Sequence, residues 1–230
     1  MSVDVELSPV VLRHIERFID KLCAEFGEVH SRETIDGLMR DSVQRLAGDA
    51  QVDDFVPVLA HRFARERLKA LVRAGAIESG DVLFIGLGDT GRGQMGAALL
   101  MLRSEGRVTA HSAGSTLGTT VDPAVVEVMS ELGVDLAEAY AKPLSAEVLE
   151  AATVIVTMGR SVGTIEIPDG KRHEDWRVGD PTEAPVDEVR RVRDDVDRRV
   201  RALLADLDTG HADDPPPPKT EASPESQPAA

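Results

Sequence analysis

Residues 82–99, VLFIGLGDTGRGQMGAAL, run four apolar residues into a glycine-rich turn and then into a helix. A buried strand that leaves through a tight turn into a helix belongs to a sheet built by crossover connections. The alternation continues down the chain. "DVLFIG" reads as a strand, Gln94–Arg103 as a helix, "RVTAHSAG" as a second strand and "DPAVVEVMSELGV" as a helix. "TVIVTMG" is a third strand, a weaker one falls near "EDWRV", and "PVDEVRRVRDDVDRRVRALLADL" closes as a long helix. The expected fold is α/β over 79–207, a doubly wound parallel sheet with helices on both faces. Such sheets bind ligands at the carboxyl ends of their strands, where the "IGLGDTGR" turn lies.

Residues 1–78 have a different period. "SPVVLRHIERFIDKLCAEFG" offers Ser8 as N-cap, Pro9 in the first turn and Gly27 as a stop. Val11, Ile15, Phe18, Leu22 and Phe26 share a face, with Leu12 and Ile19 beside it. A second helix is expected over about 31–46, with Gly48 ending it. A third starts near Asp53, tolerates Pro57, and carries Leu59, Phe63, Leu68, Leu71 and Val72. Three amphipathic helices with short connections make a small antiparallel bundle. "AGAIESGD" separates it from the α/β region. From Asp208 to Ala230 the acidic, proline-rich composition predicts a disordered tail.

A net charge of −15 over 230 residues argues against sequence-independent nucleic-acid binding and against anionic membrane surfaces. Cys23, the single cysteine, excludes an internal disulfide, a multi-cysteine zinc site and a two-cysteine relay within the chain. Its place on the apolar side of the first helix suggests a structural thiol. The start "MSVDVELSPV" has neither a basic n-region nor an apolar h-region, and no run approaches the roughly 18–20 apolar residues that span a bilayer. A cytoplasmic protein is expected. His14, His61 and His173 lack companions at ligand spacing, so no metal or cofactor is assigned. His111, before "SAG", reads as a polar packing residue near the sheet's carboxyl edge. Arg190, Arg191, Arg193, Arg198, Arg199 and Arg201 alternate with acids and suggest a solvated, salt-bridged helix face.

Gly86-Leu87-Gly88-Asp89-Thr90-Gly91 is a G-x-G-x-x-G after a strand and before a helix, the dinucleotide fingerprint in its usual context. Two features oppose that reading. The second strand ends "TAHSAG" with no acid for a ribose hydroxyl, and Asp89 places a carboxylate inside the turn. Over about 80–207 the sequence resembles the arsenate reductases of the low-molecular-weight protein tyrosine phosphatase superfamily, and the preceding helices resemble the extension some members carry. The family's phosphate loop, V-C-x-x-N-x-C-R-S followed by a helix near "QMA", fits "VLFIGLGDTGRGQMGAAL" without a gap. "HSAGS", "VDPAVVEVMSELGVDL", "TVIVTMG" and "GKRHEDWRVGDP" match further segments in order.

The resemblance implies an anion-gripping role for Arg92 and a general-acid role for Asp180 of the Asp180-Pro181 pair. It also exposes departures. Gly86 stands at the nucleophilic cysteine, Gly91 at the loop's second cysteine, Gly93 at the serine after the arginine and Asp89 at the asparagine. Arg160 and Thr164 fall where later cysteines of the reductases would be. The catalytic set is therefore empty, with Asp180 as a candidate acid. The candidate anion site is Gly86, Leu87, Gly88, Asp89, Thr90, Gly91 and Arg92, with phosphate, arsenate or a phosphorylated group as ligand. Asp89 either braces the loop backbone or pairs with Arg92 and closes the site. Three alternatives stand beside this noncatalytic reading. One is an altered phosphatase or arsenate-processing enzyme using Asp89 or a water activated by Asp180. The others are a module that assembles with itself or an active homologue through the bundle, and a dinucleotide binder.

Overall fold

The computed structural model describes residues 8–47, 55–73, 81–118, 120–159 and 165–210. Three helices come first: α1 (Pro9–Phe26), α2 (Arg32–Ala47) and α3 (Val56–Arg73). Ser8 caps α1 by accepting from the Val11 amide at 3.3 Å, and Pro9 occupies the first turn. The buried stripe of α1 is Val11, Ile15, Ile19, Leu22 and Phe26. Ile19 thus lies at its centre, whereas Phe18 is half-buried and stacks on His61, and Leu12 is exposed. Ile35, Met39 and Val43 of α2 and Ala60, Ala64 and Leu68 of α3 complete that core, while Val72 faces outward. Cys23 is half-buried against the same core, its Sγ 3.9 Å from Arg32 Nη1. The expected helix boundaries at Gly48 and Asp53 lie outside the described residues.

The second region contains β1 (Val82–Gly86), α4 (Arg92–Arg103), β2 (Ala110–Gly114), α5 (Pro123–Ser130), α6 (Ala146–Ala151), β3 (Val154–Met158), β4 (Arg172–Trp176) and α7 (Val186–Gly210). The sheet order is β2-β1-β3-β4 with every pairing parallel. β1 is central and wholly buried, so its residues read as a continuous apolar run rather than an alternating one. Its pleat still divides them. Val82 and Phe84 join the core under α4, α5 and α7; Leu83 and Ile85 join a second core on the opposite face. β4 is an edge strand whose one buried residue is Trp176, which explains its weak sequence signal.

That second face is where the bundle meets the sheet. Ala70 of α3 packs with Val148 and Ala152, at α6 and its C-cap, over Leu83, Ile85 and Ile155. Next to it Arg67 of α3, with a side chain 3% exposed, donates to Asp41 at 2.6 Å and Ser42 at 3.1 Å in α2. Its other nitrogens grip Glu147 of α6 at 2.9 and 3.1 Å. Burial alone would favour the neutral form of this guanidinium; the hydrogen bonds and charges of Glu147 and Asp41 outweigh it and raise its pKa. Arg45 of α2 and Arg62 of α3 add bonds to the Leu144 and Glu138 carbonyls.

Several expectations change here. The six-residue α6 carries too little apolar periodicity to be read from sequence. α7 continues to Gly210 and Asp208 pairs with Arg107 at 3.0 Å, so residues 208–210 belong to the helix rather than the tail. The tail beyond lies outside the described residues. Arg193 does not sit on a solvated face: it is buried and bonds the Val128 carbonyl, Glu131 and Asp194. His111 lies three positions before the carboxyl end of β2 at Gly114 rather than near it. Among the described residues no helix is long and apolar enough to cross a membrane.

Arg67→Ala leaves Glu147 and Asp41 without their shared cation at a closed seam. Both acids keep some solvent, so the expected loss is about 2–3 kcal/mol of unfolding free energy, below the range for fully buried pairs. Urea denaturation measures it.

Candidate functional site

The glycine-rich turn leaves the sheet at the carboxyl end of β1, and its shape follows from what surrounds it. Gly86 pairs with Gly114 across the β1–β2 ladder. Beyond it the Gly86, Leu87 and Thr90 carbonyls accept from the amides of Ser115, Thr116 and Asp122 at 2.8–3.0 Å. With those carbonyls drawn outward, the amides of residues 87–91 donate to no acceptor among the described residues. Gly91 then caps α4 without any side-chain bond, which leaves the positive end of the helix open. Successive free amides at a helix start form an anion-binding concavity.

The loop opens onto a cavity of about 330 Å³. Residues 86–92 form one side; Thr116, Leu117 and Gly118 form a second, and Asp180, Pro181 and Thr182 a third. Gly91 has to be small because a Cβ there would lie 2.8 Å from the Pro181 ring. At Gly86 the reverse holds: the nearest atom to a Cβ is the Gly93 nitrogen at 3.9 Å, so a side chain has room.

Asp89 and Arg92 do not meet. Asp89 has φ +55°, a left-handed conformation that Asp and Asn accept better than most residues, and is 1% exposed. Its side chain turns away from the cavity. Oδ2 accepts from Gln94 Nε2 at 2.9 Å, the Lys142 amide at 3.1 Å and Ser112 Oγ at 3.2 Å, with Lys142 Nζ at 3.7 Å. The Gln94 amide nitrogen also donates to the Tyr140 carbonyl at 3.0 Å. Of the two readings of Asp89, the structure gives the brace; the closed Asp89–Arg92 pair is not formed. Buried in this way, Asp89 is also out of reach as a nucleophile.

Oδ1 of Asp89 is buried without a partner among the described residues. Burial pushes the acid up to about 6, against the pull of Lys142 and Ser112 and with a further push from Glu66. The sequence offers Asp89 itself and two of its three partners. Ser112 lies inside the "HSAGS" segment and Gln94 directly follows the loop, so both carry a signal. Lys142, 53 residues away in an irregular stretch, carries none.

Arg92, 9% exposed, is the one cation among the cavity's lining residues. Its Nη1 approaches the Val178 and Gly179 carbonyls at 3.5 and 3.4 Å, and Nη2 lies 3.3 Å from Asp180 Oδ2. Asp180 in turn accepts from the Thr182 amide and hydroxyl through Oδ1. Cys23, in α1, is absent from this lining, and residues 160–164 lie outside the described ones. Among the described residues no group of three or more His, Cys, Asp or Glu is arranged to hold a metal ion.

Comparison with known proteins places these features in a lineage. Residues 81–212 match the family model described as low molecular weight phosphotyrosine protein phosphatase, and residues 15–72 match that of a protein-tyrosine-phosphatase-like N-terminal domain. The structure of a thioredoxin-dependent arsenate reductase from Corynebacterium glutamicum superposes with a TM-score of 0.77 at 32% identity, covering 86% of this chain and 98% of that one. A Halobacterium salinarum protein provisionally named an arsenate reductase is 35% identical over 128 residues, 53% of this chain and 88% of its own length. An arsenate reductase of Staphylococcus aureus is 30% identical over 120 residues, 50% of this chain and 88% of its own.

Asp89 gives the site a measurable pH signature. Its native pKa lies above the unfolded value, so its contribution to stability is complete below about pH 4 and is lost as pH rises through 6. Asp89→Asn removes that dependence. Relative to the variant, wild type should lose about 2–3 kcal/mol between pH 4 and 7, because each tenfold difference in proton affinity between the native and unfolded states is worth about 1.4 kcal/mol. Paired denaturation curves at pH 4 and 7 read the difference.

Proposed function

The chain belongs to the low molecular weight phosphotyrosine protein phosphatase family, and we propose that this member binds a tetrahedral oxyanion (phosphate, arsenate or a phosphorylated partner) without the family's cysteine chemistry. One observation carries the reading. At Gly86, where the resemblance places the attacking thiolate, the space for a side chain is open, while the free amides, the uncapped start of α4 and Arg92 remain around it. Attack on phosphorus or arsenic needs a nucleophile. Anion binding needs only the donors and the cation. The exposed Val10, Leu12 and Val58 on the bundle support a further part of the reading, in which a partner or a second copy docks there.

Calorimetric titration tests the core of this. Wild type should bind phosphate and arsenate saturably, and Arg92→Ala should show heat no different from buffer. The absence of saturable binding in wild type rejects the proposal.

Asp180, half-exposed on the rim, favours one competing reading: slow ester hydrolysis by a water it activates. The two diverge at Asp180→Asn. If the site only binds, removing a carboxylate 3.3 Å from Arg92 tightens phosphate binding about two- to fivefold, the worth of a partly exposed ion pair. If it turns over, the variant loses phosphomonoester hydrolysis.

Gly86→Cys asks whether the missing atom is the main deficit. The variant should acquire a single-turnover burst with p-nitrophenyl phosphate, absent from wild type, and hold the phosphoryl group on sulfur. Mass spectrometry of the quenched protein reports the adduct.

A further inference from the structure

Arg92 lies where it does because residue 159 has no side chain. Gly159 follows β3 at φ +90° and donates its amide to the Trp176 carbonyl at 3.0 Å. A Cβ built there would come within 2.7 Å of Arg92 Cζ and 2.9 Å of Nη2, with Nη1 nearer still. The guanidinium therefore lies flat on the bare backbone of Gly159. From that floor it reaches the Val178 and Gly179 carbonyls and Asp180 along one edge and remains part of the cavity wall.

We infer that Gly159 is a positioning residue of the anion site: it is the seat of the Arg92 guanidinium, and any side chain at 159 evicts the cavity's one cation. The inference rests on the reading of the loop as an anion site and adds a residue from outside the loop to it. The requirement is specific to the planar group. A guanidinium presents a broad flat face and a fixed fork of donors, so its direction depends on the surface beneath it; an ammonium at the same place is a compact charge that reorients freely. The positive φ alone would favour glycine for backbone reasons, so the test has to separate strain from eviction. The fold supplies a control. Gly170 has φ +80°, but nothing among the described residues lies within 4 Å of a Cβ built on it.

Phosphate titrations are run on the full chain as wild type, Gly159→Ala, Gly170→Ala and Arg92→Lys, and on the Gly159→Ala/Arg92→Lys pair. Gly159→Asn is included because asparagine accepts a left-handed backbone better than alanine while delivering the same Cβ. The expectation is a loss of at least tenfold in phosphate affinity for Gly159→Ala and Gly159→Asn, with Gly170→Ala within twofold of wild type. In the Arg92→Lys background, Gly159→Ala should change affinity by less than twofold, since no planar group remains to be evicted. Wild-type affinity in both Gly159 variants overturns the inference and leaves the anion reading standing. So does an equal loss with Arg92 and with Lys at position 92, which would mark Gly159 as structural only. No saturable binding by wild type overturns the anion reading itself, a different result from either.

Discussion

The carboxylate of Asp89 is the point at which four parts of the molecule are tied. Through one oxygen it holds the turn after β1, Ser112 of β2, Gln94 of α4 and the backbone at Lys142. Without that knot the turn has little to fix it. Its glycines supply no side-chain packing, its carbonyls are held by the amides of Ser115, Thr116 and Asp122 and by α4, and its amides have no protein acceptor among the described residues. An ionised carboxylate makes stronger hydrogen bonds than a neutral amide would, yet it must be kept out of water in a region that also carries Glu66. The shape of the loop and the unusual acidity of its brace are thus one fact seen twice. The turn is shaped by a buried negative charge that faces away from the cavity.

The two sides of the sheet are covered in different ways. On one, α4, α5 and α7 form a layer from within the α/β region. On the other, α6 has only six residues, and the end of α3 completes the cover. Arg67 joins α2, α3 and α6 at that seam with both ends of its guanidinium engaged. The bundle is therefore a structural part of the sheet's second layer, and the seam also runs close to the loop's brace. Arg62 lies over the Tyr140 ring at 4.8 Å, and the Tyr140 carbonyl accepts from the same Gln94 that holds Asp89.

How much of this is legible in the sequence depends on how local each determinant is. The parallel sheet and its loop can be read because period, glycine placement and strand composition act over a few residues. The stripe of α1 is legible to within one position, since Phe18 and Ile19 are neighbours and only packing against α2 and α3 decides which is central. α6 escapes because one and a half turns leave no periodic trace. Arg193 misleads because charge alternation describes a helix in isolation, whereas the C-terminal part of α5 supplies a carbonyl that draws this arginine inward. At the site the loop residues announce themselves, but Lys142 does not, and Gly159 shows only as the end of "TVIVTMG", with no sign of its role. One contributes a backbone amide across 53 residues and the other an absent side chain, and neither contact leaves a pattern along the chain.

The proposed grip on an anion combines main-chain donors with one side chain, Arg92, so its donors are insulated from the drift that replaces side chains while its charge is not. A substitution at position 86 disturbs the core little, since a side chain there meets nothing closer than the Gly93 nitrogen at 3.9 Å. Erasing the cradle would instead require changing how β1 hands over to α4, and with it the sheet's central strand. On this scaffold the residue at position 86 can therefore change far more easily than the shape of the turn around it, and the path between one residue and another there stays short.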